Sequence, residues 1–264
     1  LLSRRQRQMC IRDRDERMKK RLMAAVLSTA MAATMLLTGS ISVQAADAAA
    51  ANDPAVELIF TSVSVSGDSH TEAMYEFADK VEELSGGSVT CKCYDNGSLF
   101  SSENEFDALL NGDADLAYIS FPTIATQIPS YSMFASGYLF SSYEHMTSVL
   151  NGDIGLNKIR PQIEETLNIK PLSSFYLGSR VINTREKEIN SYDDMNGLLL
   201  RMPNSEAWLF LGEALGANPT PLSFSELYTA LQTGAVDAQD NPLPSIESAK
   251  FYDCLLYTSP SPRD

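Results

Sequence analysis

The sequence predicts an α/β fold in which a mostly parallel sheet carries helices on its faces. Three observations support this. Runs of β-branched and aromatic residues alternate with amphipathic stretches. Capping and stop residues separate them. The resulting strand–helix–strand–helix–strand rhythm is the one that crossover-connected parallel strands produce.

VELIFTSVSV, from Val56 to Val65, is dense in β-branched and aromatic residues and predicts the first strand. SGDSHTEAMYEFADKVEELSGG predicts the first helix. Asp68 or Ser69 caps it, Ala73, Phe77, Val81 and Leu84 form its apolar stripe, and Gly86-Gly87 end it. SVTCKCYD predicts the second strand, SSENEFDALLNGD a helix with Phe106, Leu109 and Leu110 apolar, and ADLAYISF a third strand. YEHMTSVLNG and IGLNKIRPQIEETL predict two further helices, and KPLSSFYL, Lys170 to Leu177, another strand. GSRVINTREKEINSYDDMNG is polar and turn-rich around a short strand at Val181-Ile182. In LLLRMPN, Leu198 to Leu200 read as a buried strand, Arg201 falls where it runs out, and Pro203 and Asn204 start a helix closed by Gly216. TPLSFSELYTALQTG predicts a helix opened by a Ser223-x-x-Glu226 capping box and ended by Gly234.

The two ends carry a different signature. Cys254–Ser259 back-translates as TGT CTC TTA TAC ACA TCT, and the reverse complement, in a shifted frame, encodes the Met-Cys-Ile-Arg-Asp found at Met9–Asp13. Residues 1–17 and 254–264 are therefore expected to be upstream or translated-adapter sequence outside the native chain. Met18 opens a basic n-region (Lys19, Lys20, Arg21), an apolar stretch and a Val43-Gln44-Ala45 ending, the pattern of a secretory signal peptide over residues 18–45. Ser28, Thr29, Thr34 and Thr38 interrupt the apolar stretch, which favours cleavage over a membrane anchor. Residues 46–55 form an alanine-rich linker.

From Ala46 to Asp253 about ten Lys/Arg face about thirty Asp/Glu, a net charge near −20, against −14 for the whole chain. Such a balance excludes nucleic acid and direct binding to anionic lipid as partners and suits a secreted soluble protein. Cys91 and Cys93 alternate on one strand, so they share a face and are badly placed for a mutual disulfide. With no further ligands nearby they read as small hydrophobic residues and not as a metal site.

Arg201 stands where strand ends of parallel sheets meet a ligand crevice, and a guanidinium can grip a carboxylate through two parallel hydrogen bonds. The alternative is a structural ion pair. Asn241, before a proline, is pushed out of helical backbone and is either an anion donor at a loop corner or a plain turn residue. Phe224 either packs in the core or walls a pocket. His70 and His145 are far apart and carry no metal-ligand spacing, and no G-x-S-x-G, phosphate-loop or dinucleotide glycine pattern is present. No catalytic residue, cofactor or metal is expected.

LLLRMPNSEAW, ALGANPTPLSFSELYTALQTGAVDAQDNPL and KFYD together resemble the solute-binding proteins of TRAP transporters, the DctP family, densely from Tyr192 to Asp253 and more loosely back to Val56. NGSLFSSENEFDALLNGDADLAYIS and GYLFSSYEHM match earlier family segments in order. The resemblance implies a periplasmic-binding-protein-like fold of two hinged lobes, 56–177 in the first and 178–253 in the second, with an organic acid between them. It gives Arg201 the carboxylate-pairing role and places Arg180, Asn241, Phe224 and Asn204 around the ligand, with Trp208, Tyr118 and Ser120 as further wall candidates. VDAQDN stands where the family has V-D-G-Q-E-N, GYLF replaces L-P-[FY]-L-F, and the family's final return segments are absent, so the chain reads as truncated. The expected function is extracytoplasmic capture of an organic acid for import, with TRAP membrane subunits as partners and a periplasmic or extracellular location, and not an enzyme. Two rivals remain open: an α/β enzyme acting on an organic acid, and a ligand-sensing module for a membrane kinase.

Overall fold

Val56 to Thr61 forms the middle of a three-stranded parallel sheet. In the computed structural model, which describes residues 55–258, β1 (Val56–Thr61) lies between β2 (Val89–Tyr94) and β3 (Leu116–Ala117). Val56 pairs with Val89 and Phe60 with Leu116. Residues 1–54, holding the expected adapter, signal peptide and all but the last residue of the linker, lie outside the described residues, as do residues 259–264.

Helix α1 (Ser69–Ser85) crosses from β1 to β2 and ends as its sequence dictates. The Asp68 carboxylate accepts the His70 N–H at its entrance, and Gly86 takes the left-handed conformation (φ 62) at its exit. Its buried face is Thr71, Met74 and Ala78, about a quarter turn from the expected stripe, of which Ala73, Phe77 and Val81 are half-buried and Leu84 is exposed.

Helices α2 (Glu105–Asn111), α3 (Phe121–Ile124), α4 (Tyr143–Leu150) and α5 (Arg160–Leu167) follow, the last entered through a π turn at Gly155–Ile159. Phe106, Ile124, Ile128, Tyr131 and Ile163 form a core shared by α2, α3, α5 and the segment that follows α3. Lys170–Leu177, expected as a strand, is irregular. Its backbone groups are taken by side chains instead of a ladder. Asn151 accepts the Ser174 N–H at 2.9 Å and donates to the Ser174 carbonyl at 2.8 Å, and Arg160 donates to the Leu172 carbonyl at 3.0 Å.

The second sheet contains β4 (Arg180–Thr184), β5 (Leu199–Met202), β6 (Asn218–Pro221), β7 (Ala238–Pro242) and β8 (Tyr257–Thr258), ordered β6-β5-β7-β4-β8. β5 runs parallel to β6 and β7, while β4 is antiparallel to β7 and β8, so this sheet is mixed. Helix α6 (Glu206–Ala214) covers one face over Leu198, Leu200, Met202, Trp208 and Ala238. Helices α7 (Phe224–Thr233) and α8 (Leu243–Ser248) cover the other over Leu227, Leu231, Val236, Ile246 and Phe251.

Two helix starts differ from expectation. Helix α6 begins at Glu206 with Ser205 as its N-cap, and Pro203 and Asn204 form the turn before it. The Ser223–Glu226 box does not close on the backbone, because the Ser223 hydroxyl donates directly to the Glu226 carboxylate at 2.6 Å. Residues 254–258, set aside in the sequence reading, lie along the otherwise open edge of β4, where the Leu256 N–H meets the Thr184 carbonyl at 3.0 Å.

Candidate functional site

The second sheet turns the period-two alternation of its strands into two chemically different faces. On β5, Leu200 and Met202 point to α6, and Arg201 between them points to α7. Arg201 is paired in register with Gln239 on β7, and Asn241 follows two residues on, on the same face. Arg180 enters at the start of β4, opposite Pro242. Arg201, Asn241 and Arg180 therefore gather where the parallel strands β5 and β7 run out, the position at which open α/β sheets bind ligands.

Arg201 is 2% exposed. Its Nε donates to the Leu222 carbonyl at 2.8 Å, and its guanidinium lies 6.0 Å from the centre of the Phe224 ring. Among the described residues no carboxylate comes within 4.0 Å of it. Burial, then the nearby Arg180 charge, pushes its pKa down to about 10, while Asp240 and Glu103 pull it back up. It stays cationic at neutral pH, a buried charge on which Asp240 and Glu103 act only from beyond ion-pair distance.

Arg180, by contrast, is paired. Its Nε donates to Asp240 Oδ2 at 2.9 Å and its Nη2 to Asp240 Oδ1 at 3.0 Å, a two-pronged bridge to a buried carboxylate. The same Nη2 reaches the Asp240 carbonyl and, at 3.3 Å, Asn241 Oδ1. The guanidinium lies over the Trp208 ring at 4.6 Å. The two arginines of the site thus differ: one is neutralised by its own strand partner and the other is not.

Asn241 is in β7 rather than at a loop corner, because the extended backbone that a following proline enforces is also strand backbone. Its Nδ2 donates to Gln239 Oε1 at 2.5 Å, and Gln239 Nε2 donates to Asn183 Oδ1 at 2.8 Å. One Asn241 N–H remains for a ligand. Phe224 opens α7, close to the Arg201 guanidinium and edge-on to Phe251 at 5.5 Å. Asn204 is exposed in the β5–α6 turn, apart from the network joining the other four. Tyr118 joins Phe60, His70 and Phe175 in an aromatic cluster, and Ser120 shares a hydrogen bond with Thr123 at 2.8 Å.

Sequence reasoning missed Gln239, Asp240, Asn183 and Glu103. The first two were findable: once Arg201 is placed on a strand, the polar run in AQDNP must pair beside it. Glu103, in the β2–α2 loop, is revealed only by the fold, which brings its charge within reach of Arg201.

The model of the DctP family, bacterial extracellular solute-binding protein family 7, matches residues 60–261. The sialic acid-binding periplasmic protein SiaP of Vibrio cholerae is 34% identical over 67% of this chain and 54% of its own length. A TRAP periplasmic solute-binding protein of Roseobacter denitrificans, solved with bound 3-deoxy-D-manno-oct-2-ulosonic acid, is 40% identical with a TM-score of 0.71, over 76% of this chain and 66% of that one. The sugar acid-binding protein DctPAm of Advenella mimigardefordensis, solved with galactonate, is 30% identical with a TM-score of 0.74, over 78% and 66%. The chain therefore spans about half the length of the curated relatives it matches.

Proposed function

The chain belongs to the DctP family of bacterial extracellular solute-binding proteins, and from that premise we propose that it captures a polyhydroxy monocarboxylic acid outside the cytoplasmic membrane and delivers it to TRAP membrane subunits. The observation that carries this reading is Arg201: a cation 2% exposed, at the mouth of parallel strands, with no carboxylate of the described chain within ion-pair distance. A ligand carboxylate supplies the missing counter-charge. Asn241 offers its remaining N–H, Phe224 and Trp208 offer aromatic surface, and Arg180, fixed by Asp240, shapes the pocket beside it.

Glu103 narrows the ligand class. Its carboxylate, in the β2–α2 loop and near enough to raise the Arg201 pKa, repels a second ligand carboxylate and accepts hydrogen bonds from hydroxyls. The same chemistry is present in the acids named for the three relatives, each a single carboxylate on a polyhydroxylated chain or ring. Ligand contacts from both sheets favour the closed arrangement of the lobes, so capture is a population shift toward closure.

A thermal-shift screen tests the reading. The purified protein is heated with galactonate, 3-deoxy-D-manno-oct-2-ulosonic acid, sialic acid, succinate and the neutral sugar galactose. A ligand that binds only the native state raises the melting temperature by mass action. Shifts with one or more sugar acids and none with galactose are expected. A shift with galactose equal to that with galactonate contradicts the carboxylate reading, and a response to succinate alone contradicts the hydroxyl reading.

A further inference from the structure

Asp68 has a second task beyond capping α1. Its Oδ1 accepts the His70 N–H at 2.9 Å, which completes the helix entrance. Its Oδ2 faces the other half of the molecule, toward α8, where it accepts from the Ser248 hydroxyl at 3.3 Å and the Ser245 hydroxyl at 3.5 Å. Asp68 is 4% exposed and Ser245 5% exposed, so the Ser245 bond is shielded from water, while Ser248 is half-buried. The serines are three residues apart and share one face of α8. That helix starts at Leu243, two residues after Asn241. A buried carboxylate of the first sheet's helix thus grips, through two hydroxyls, the helix that extends directly from a candidate ligand-binding strand.

We propose that Asp68, Ser245 and Ser248 form a latch between the two lobes that positions Asn241 and sets how far the cleft opens. The three residues do not touch the ligand. The contact exists only at this mutual placement of the sheets, since a rotation that parts them draws Oδ2 from both hydroxyls together. Both distances are longer than the usual 2.7–2.8 Å of hydroxyl hydrogen bonds, so the latch is loose and yields to modest rotation. Burial raises the Asp68 pKa and His70 and Ser248 lower it, with a net shift downward, which keeps the acceptor charged at neutral pH. Because apparent affinity scales with the populated fraction of the binding-competent arrangement, a weaker latch lowers affinity without altering the pocket.

The test separates the latch from the proposed ligand chemistry on which the affinity readout rests. Spin labels at exposed Glu82 and Glu213, one on α1 and one on α6, report the distance between lobes in the ligand-free protein by pulsed electron resonance. In Ser245→Ala/Ser248→Ala the distance distribution is expected to broaden and lengthen, and affinity for the best sugar acid to fall about tenfold. Ser245→Thr/Ser248→Thr, which keeps both hydroxyls, restores both readouts. Asp68→Asn keeps the helix cap and trades the charged acceptor for an amide donor to the same hydroxyl oxygens, so it lengthens the distance less than the serine pair does, and combining it with the alanines adds little beyond the alanines alone. An unchanged distance distribution in the alanine pair overturns the latch whether or not any sugar acid binds. Absence of sugar-acid binding in a wild-type protein whose distances do respond overturns the ligand assignment and leaves the latch standing.

Discussion

At the scale of single residues, the site is defined by which charges are answered. Asp240 pairs with Arg180, while Arg201 has no carboxylate of the described residues at ion-pair distance and feels Asp240 and Glu103 only from further away. Burying a cation without a partner costs several kcal/mol, and replacing it with an apolar side chain of similar length removes that cost. Arg201→Met is therefore expected to melt at the same temperature as wild type or a few degrees higher, while losing at least a hundredfold in acid affinity. Asp240→Ala acts in the opposite sense: it strands Arg180 beside Arg201 and is expected to destabilise the fold by about 3 kcal/mol in urea melts. Glu105 gives a pH signature. It is buried at the start of α2, with Oε1 unpaired, and desolvation raises its pKa from 4.5 to about 8, against the pull of the nearby Thr61 hydroxyl, which makes no hydrogen bond of ordinary geometry with it. A carboxyl whose folded pKa is raised contributes its full stability below the unfolded value and loses it as pH rises through the folded one. Stability is thus expected to fall between pH 4.5 and 8, by about 3 kcal/mol at pH 7. Glu105→Gln flattens that slope, and a variant with the wild-type pH profile contradicts the assignment.

At the scale of elements, legibility in the sequence followed the kind of force that decides each one. Helix α1 was legible at both ends because its cap and stop, Asp68 and Gly86, act on their own backbone. Strands β1, β2 and β5 were legible because β-branched and apolar runs favour extended backbone. β7 was not, because Ala-Gln-Asp-Asn-Pro has the composition of a turn. It becomes a fully buried strand only where Asn183, Gln239, Asn241 and Arg180 satisfy one another. Lys170–Leu177 failed in the other direction: Leu172, Phe175 and Leu177 have strand character, but Asn151 and Arg160, distant in sequence, hold its backbone. The crossing into the second sheet carries a steric requirement of its own. Gly178 has φ 131, and a Cβ there would stand 2.6 Å from Pro242 Cβ, beside Asn241. Gly178→Ala is expected to cost about 1–3 kcal/mol and to weaken acid binding by displacing β7. A variant with unchanged melting temperature contradicts this close approach.

At the scale of the whole molecule, a strongly acidic protein is expected to take an anion. The net charge near −20 between Ala46 and Asp253 is spread over a surface from which the Debye length of about 8 Å at physiological salt isolates the cleft. The local field is set by Arg201, Arg180 and Asp240, with Glu103 opposing from the β2–α2 loop. The family match and the solved relatives place this chain among solute-binding proteins, and the charge accounting at β5 is the ground for the proposal that its solute is an acid. Calorimetric titration of the best sugar acid into wild type and folded Arg201→Met tests that claim most directly. The account predicts a saturable exothermic isotherm for wild type and at least a hundredfold weaker binding for the variant, with the melting temperature preserved. Equal affinity in the two proteins would contradict it, because the buried arginine would then hold no carboxylate.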